Sequence, residues 1–355
     1  MGKKDLRSMT QNELKDLLTD MGQPAYRAKQ LFVWIQKENA SDFSVMTDLP
    51  LALREKLDET ATVALPRARR IARSKKDETV KFLFELEDGL CIESVRMRYT
   101  YGDTLCISTQ AGCNMACSFC ATGLGGKARN LTAGEMLGQI AAAEQLLNIS
   151  VNHIVLMGMG EPLDNFDQVI RFLDLVSDEK GRNLTPRHIT LSTCGIVPNI
   201  YALADQKRQI TLTVSLHAAE NQRRSRLMPV NRRWPLDELI PACRYYFETT
   251  GRRVSFEYAL IAGENDTRQE AETLAKLLEG FPCHINLIPI NPVKETGKKP
   301  PSPEQIRRFA SVLEEKGFSV TRRRTLGQDI DAACGQLRRK EEARSRQHQT
   351  AAPKR

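Results

Sequence analysis

The chain reads as an α/β protein, a parallel sheet curled into part of a barrel and preceded by a small helical domain. Three observations predict this. From about residue 104 the sequence alternates strand-like and amphipathic helical segments, the rhythm of βα units with helices outside a parallel sheet. The strand-like segments make six or seven such units, too few to close an eight-stranded barrel. Residues 1–60, by contrast, show helical spacing and caps.

The elements follow in order. Thr10 and Glu13 form a capping box ahead of Leu14, Leu17 and Leu18, with Gly22 as the stop. A second helix carries Ala28, Leu31, Phe32 and Ile35 inward, and a third begins after Pro50. Segment 67–76 holds six basic residues in ten and reads as an exposed basic edge or linker. Strands are expected at 79–86 and 90–97, then at 104–108, 154–158, 188–193, 209–216, 253–261, 284–290 and 318–324. Helices fit near 132–148, opened by a Thr132–Glu135 capping box, and near 166–177, 235–249, 267–280 and 303–316. The tail from 338 carries seven basic and two acidic residues without apolar periodicity, and reads as disordered. The expected division is 1–65 helical accessory domain, 66–98 basic linker and β extension, 99–337 core, and 338–355 tail.

Composition narrows the function. Hydrophobic residues at 41% and charged residues at 27% are the balance of a soluble globular protein. No apolar stretch reaches the roughly 18–20 residues of a membrane span, and MGKKDLRSMT lacks a secretory h-region. A cytosolic protein is expected. Fifty-two basic against 44 acidic residues give +8, which points to a polyanionic partner such as nucleic acid. Nine cysteines in a reducing compartment are metal ligands, catalytic thiols or core residues.

The segment GCNMACSFCATGLGG (112–126) places Cys113, Cys117 and Cys120 in a C-x3-C-x2-C run directly after a strand. Three thiolates this close can converge on one metal centre. Tetrahedral zinc would need a fourth ligand, and an iron–sulfur cluster normally takes four cysteines, so three leave one iron open. A zinc knuckle, or three unrelated buried thiols, is the bland alternative. MGMGEP (157–162), STCG (192–195), SLH (215–217) and IPINP (288–292) lie at further strand ends, where a partial barrel builds its active site. Two more cysteines stand apart: Cys106, seven residues before Cys113, and Cys334 in DIDAACGQL.

The run, with Phe119 before its third cysteine, resembles that of radical S-adenosylmethionine (SAM) enzymes, and MGMGEP resembles their GGEP motif. With Cys106 and Cys334 the chain resembles, over essentially its whole length, the RlmN/Cfr family of radical SAM RNA adenine methyltransferases. The carriers are LCISTQAGCNMACSFCATG, the ESV of 90–97, LMGMGEPL, TLSTCGIVP, SLHA, INLIPINP and GQDIDAACGQL.

The resemblance implies a partial (β/α)6 TIM-like radical SAM barrel and a [4Fe-4S] cluster on Cys113, Cys117 and Cys120. It implies two SAM molecules per turnover, held by Gly160, Glu161, Ser192, Ser215, Leu216, His217 and Asn291. One SAM would methylate Cys334. The other, cleaved at the cluster, would give a 5′-deoxyadenosyl radical that draws hydrogen from the S-methyl group. The resulting carbon radical would add to an adenine ring, a step that direct methyl transfer to such a carbon cannot replace. Glu93 aligns with the base that removes the ring proton, and Cys106 would release the product by forming a disulfide with Cys334.

Implied substrates are an adenine at the peptidyl-transferase centre of 23S rRNA and one beside the tRNA anticodon. INLIPINP, with Pro289 where Cfr proteins tend to carry Arg, favours C2 over C8 methylation. An electron donor such as flavodoxin or ferredoxin and a monomeric state are expected. Candidate RNA contacts are the 67–76 run, Arg223, Arg224, Arg226, Arg232, Arg233 and Arg322–Arg324, each with a solvated face as its plain alternative. The plain readings of Ser192 and Ser215 are helix caps, of His217 a core histidine, and of Asn291 a turn residue. A zinc-stapled, non-catalytic RNA-binding protein is the reading from a different class.

Overall fold

The computed structural model describes residues 2–291, 297–324 and 326–330. Ten strands form one sheet: β1 (Arg67–Arg73), β2 (Val80–Glu85), β3 (Cys91–Tyr99), β4 (Gly102–Cys106), β5 (Val151–Leu156), β6 (Ile189–Thr193), β7 (Thr211–Ser215), β8 (Ser255–Leu260), β9 (His284–Pro289) and β10 (Ser319–Arg322). Their order across the sheet is their order in the chain. β4 to β10 run parallel, joined by six crossovers, and β1 to β4 pair antiparallel as an added edge. The expected six-unit partial barrel and β extension are therefore one continuous surface. The 67–76 run is its edge strand and the turn after it, with Arg67, Arg69 and Arg73 exposed.

Register decides which side chains reach the site. Cys106 pairs with Val95 on one side and Val155 on the other. Successive strand residues face opposite sides. One face therefore carries Leu105, Ile154, Leu191, Leu212, Phe256 and Leu287, all at 0% exposure and packed in the main core. The other carries Val95, Met97, Tyr99, Cys106, Ser192, Ser215 and Glu257, all of which line a cavity.

The helices are α1 (Gln11–Asp20), α2 (Arg27–Gln36), α3 (Leu51–Thr60), α4 (Ala133–Leu147), α5 (Phe166–Ser177), α6 (Val197–Asp205), α7 (Asn221–Leu227), α8 (Leu236–Thr250), α9 (Arg268–Leu277) and α10 (Pro303–Glu315). Both expected capping boxes are present, Thr10 with Glu13 and Thr132 with Glu135. α6 and α7 were not expected. α6 has no side-chain cap, and α7 is a short, Arg-rich turn of helix that periodicity over a longer window cannot register.

The N-terminal helices are tied to each other and to the core by polar contacts. Arg7, 2% exposed, donates to the carbonyls of Ile35 (2.8 Å), Ala40 (2.7 Å) and Val63 (2.8 Å). Glu13 pairs with Arg171 of α5, Ser8 Oγ accepts the Gly134 amide, and Thr132 Oγ1 donates to Asp5. Among the described residues no helix is long and apolar enough to cross a membrane. The expected disordered tail, 338–355, lies outside the described residues.

Candidate active site at the carboxyl ends of the strands

The cysteine loop is shaped before anything binds it. It is bracketed by a two-stranded ribbon, Gln110–Gly112 against Lys127–Asn130, and closed by Cys113 N donating to Gly126 O at 3.0 Å. Ala116 turns the loop at φ +52°, and a Cβ on Gly112 (φ +89°) would lie 2.0 Å from Gly126 O. Ser118 N donates to Leu227 O at 2.9 Å, which fastens the turn between Cys117 and Cys120 to the end of α7.

Cys113, Cys117 and Cys120 open into one cavity of about 370 Å³ together with Cys106, Gly160, Glu161, Ser192, Ser215, His217 and Asn291. Ten residues singled out in the sequence thus meet in one place. Leu216 does not: it is fully buried, and its carbonyl accepts from Arg224. Glu93 shares the strand face of Val95, Met97 and Tyr99 but lies behind the cavity lining, 3% exposed, with Lys81 Nζ 3.3 Å from Oε2. Cys334 lies outside the described residues. The eight described cysteines are free thiols, so the expected Cys106–Cys334 bond lies outside them too.

Burial pushes the cysteine thiols up: Cys106 to about 11 and Cys113 to about 12, with Cys117 raised further by burial and then by its neighbours Cys120 and Cys113. Three cysteine side chains facing one space are what an incoming soft metal group would bind as thiolates. Ser118 Oγ and Thr122 Oγ1, beside them, are buried without a hydrogen-bond partner among the described residues. Among those residues no three Cys, His, Asp or Glu side chains are gathered closely enough to hold one metal ion. A multi-iron cluster spreads its cysteines over several metal atoms, so the donor set suits it.

The strand ends opposite the loop are rigidly held. Glu161 does not offer a free carboxylate: Oε1 accepts from Leu163 N (3.0 Å) and Oε2 from Cys194 N (2.7 Å), linking the ends of β5 and β6. Burial, opposed by these hydrogen bonds, still leaves its pKa raised. Gly160 (φ +106°) is required by Gln110, whose Cβ would lie 2.6 Å from an added Cβ and whose Oε1 accepts Glu161 N. His217 is a left-handed residue (φ +58°) whose Nδ1 accepts from Ala259 N at 2.9 Å, leaving its ring against the cavity. Burial, then Arg224, lowers its pKa to about 3, so the imidazole is neutral. Ser192 and Ser215 cap no helix, because the N-cap positions of α6 and α7 are Ile196 and Glu220, neither with a side-chain cap bond. Both serines present their side chains to the cavity.

One sequence expectation is corrected. Arg224 is not an RNA contact: it is 0% exposed and donates to Leu216 O, Ser215 O, Cys194 O and Asn231 Oδ1. Arg223 is ion-paired with Glu270, whereas Arg226, Arg232 and Arg233 are exposed. Arg323 and Arg324 are exposed residues lining the cavity. Sequence reasoning missed Lys81, Gln110 and Glu257. Lys81 carried a signal, a single cation set within the apolar strand TVKFLFEL.

Comparison with known proteins gives consistent matches. The profile of the Radical SAM superfamily matches residues 107–278, and that of the ribosomal RNA large subunit methyltransferase N-terminal domain matches residues 4–63. A protein of Thermoanaerobacter sp. (strain X514), named "Probable dual-specificity RNA methyltransferase RlmN", is 49% identical over 95% of this chain and 98% of its own. One of the same name from Pelotomaculum thermopropionicum is 50% identical over 95% of this chain and 92% of its own. The crystal structure of a radical SAM methyltransferase from Sphaerobacter thermophilus superposes with a TM-score of 0.90 at 45% identity, covering 94% of this chain and 98% of that one.

Proposed function

The chain belongs to the RlmN family of radical SAM RNA methyltransferases, and on that footing we propose that it methylates C2 of an adenine in 23S rRNA and in tRNA. The family implies SAM and a [4Fe-4S] cluster as cofactors. The observation that carries the finer reading is that Cys106 opens into the same cavity as Cys113, Cys117 and Cys120. A thiol there has no part in holding a cluster, and a place beside the reacting atoms suits a resolving cysteine.

In this reading Cys113, Cys117 and Cys120 hold the cluster, which together with SAM supplies hydrogen-atom abstraction. Gly160, Ser192, Ser215, His217 and Asn291 orient SAM from the strand ends, and Glu161 and Leu216 position the backbone that does so. Neutral His217, with Nδ1 occupied by an amide, turns an Nε2–H donor toward the ligand. Cys334 carries the methyl group to the adenine, and Cys106 would form a disulfide with Cys334 as the bond between the Cys334 sulfur and the adduct carbon breaks, the Cys106 thiol proton going to solvent and the one surplus electron of the radical adduct going back to the bound cofactors. Removal of the ring proton needs a base, and this reading gives that role to Glu93, buried beside Lys81. Burial raises the Cys106 pKa to about 11, with Arg323 acting the other way, so it rests as a thiol.

Exposed Arg323 and Arg324 at the cavity, and Arg67, Arg69 and Arg73 on the edge strand, supply a phosphate-binding surface for the RNA. The target base leaves its stack to enter the cavity. A cytoplasmic monomer served by a flavodoxin- or ferredoxin-type donor completes the proposal. Its test is a pair of variants. Cys334→Ala should lose methylation and keep reductive SAM cleavage, and Cys106→Ala should accumulate a covalent protein–RNA adduct. Methylation retained by Cys334→Ala would overturn the mechanism.

A further inference from the structure

We propose that Arg224 is an electrostatic positioning residue for the cluster: its fixed buried charge raises the reduction potential of iron held by Cys113, Cys117 and Cys120. The inference rests on the cluster assignment made above.

Arg224 is 0% exposed, and among the described residues its guanidinium donates to neutral oxygens: Leu216 O (3.1 Å), Ser215 O (3.1 Å), Cys194 O (2.7 Å) and Asn231 Oδ1 (2.9 Å). Among the described residues no carboxylate pairs with it. A buried, uncompensated cation is costly, so such a residue calls for an anion nearby. Thiols are the groups that act electrostatically on Arg224, Cys194 first and Cys117 second. Cys117 is a cluster ligand in this account. The helix bearing Arg224 is also fastened to the cysteine turn through Ser118 N and Leu227 O, which fixes the cation's place relative to the sulfurs. A cluster bound by three thiolates is anionic and gains one more negative charge on reduction. A fixed cation in a low-dielectric interior stabilises the reduced form more than the oxidised one. It therefore makes a low-potential electron easier to deliver.

Asn231 offers a way to cancel this charge without removing it. Its Oδ1 already accepts from Arg224 Nη1, so Asn231→Asp places a carboxylate against the guanidinium at similar volume, giving up the Nδ2 donations to Asn221 and Ser225, a loss the circular dichroism control monitors. The experiment is an EPR-monitored redox titration of the reconstituted full-length protein without SAM, with iron and sulfide content and far-UV circular dichroism as controls. Asn231→Asp and Arg224→Gln should each shift the reduction equilibrium at least tenfold toward the oxidised cluster, about 59 mV for one electron. Arg224→Lys, which keeps the charge, should stay near wild type. Where Arg224→Gln does not fold, Asn231→Asp decides alone. A fully loaded Asn231→Asp with the wild-type midpoint overturns the inference. So does a folded Asn231→Asp that binds no iron, because the cation would then serve assembly rather than potential. A wild-type protein that assembles no cluster refutes the cluster assignment instead.

Discussion

His217 ties the fold to pH in a way that can be measured without any cofactor. Its Nδ1 accepts the Ala259 amide at 2.9 Å, which requires that nitrogen to be unprotonated. The ring is buried, at 5% exposure, and burial followed by repulsion from Arg224 lowers its pKa from 6.5 to about 3. In the unfolded chain the same ring binds a proton at about 6.5. Between those values the unfolded state holds more protons, so this contribution to stability is complete above about pH 6.5 and is lost as pH falls toward 3. At about 1.36 kcal/mol per pKa unit the full effect is about 5 kcal/mol, of which about 3 should appear between pH 6.5 and 4.5. His217→Asn is the control. Asn carries an acceptor where Nδ1 sits, tolerates the left-handed backbone and does not titrate. The assay is equilibrium denaturation of the metal-free protein at several pH values. The stability advantage of wild type over His217→Asn should shrink by about 1.4 kcal/mol per pH unit below 6.5. A difference that stays flat across that range would refute the reasoning.

Three further perturbations follow from the same geometry. Gly112→Ala forces a Cβ to within 2.0 Å of Gly126 O at φ +89°, so the cysteine loop must open and iron content after reconstitution should fall severalfold; wild-type iron content would show that the ribbon does not shape the loop. Arg7→Met strands the carbonyls of Ile35, Ala40 and Val63, at about 1–3 kcal/mol for each buried group left unpaired, and should cost at least 3 kcal/mol in denaturant titration; a loss below 1 kcal/mol would contradict it. Arg323→Ala and Arg324→Ala should each weaken RNA binding across sequences and reduce the slope of log affinity against log salt by about 1. An unchanged slope would place the phosphates elsewhere.

Much of this architecture is legible in the chain because its signals are local. The seven parallel strands and the Thr10 and Thr132 capping boxes depend on alternation and on short-range hydrogen bonds, which a sequence displays directly. The three-cysteine loop is legible for the same reason. What escaped depends on three-dimensional neighbours. Arg224 sits among NQRRSRL and looks like its exposed neighbour Arg226, yet one helical offset points it into the strand ends. Glu161 reads as a ligand-facing acid, but the Cys194 amide that takes its Oε2 comes from 33 residues away. Glu257 and Lys81 belong to strands whose inward face is set by register with β7 and β3, and register is not written in either strand alone.

Adenine-C2 methylation is read out by mass spectrometry of nucleosides from 23S rRNA and tRNA after anaerobic incubation with the reconstituted protein, SAM and a reductant. The expected product is 2-methyladenosine in both RNAs. The appearance of 8-methyladenosine would contradict the C2 assignment, and unmodified adenosine from protein that still cleaves SAM would contradict the RNA assignment itself.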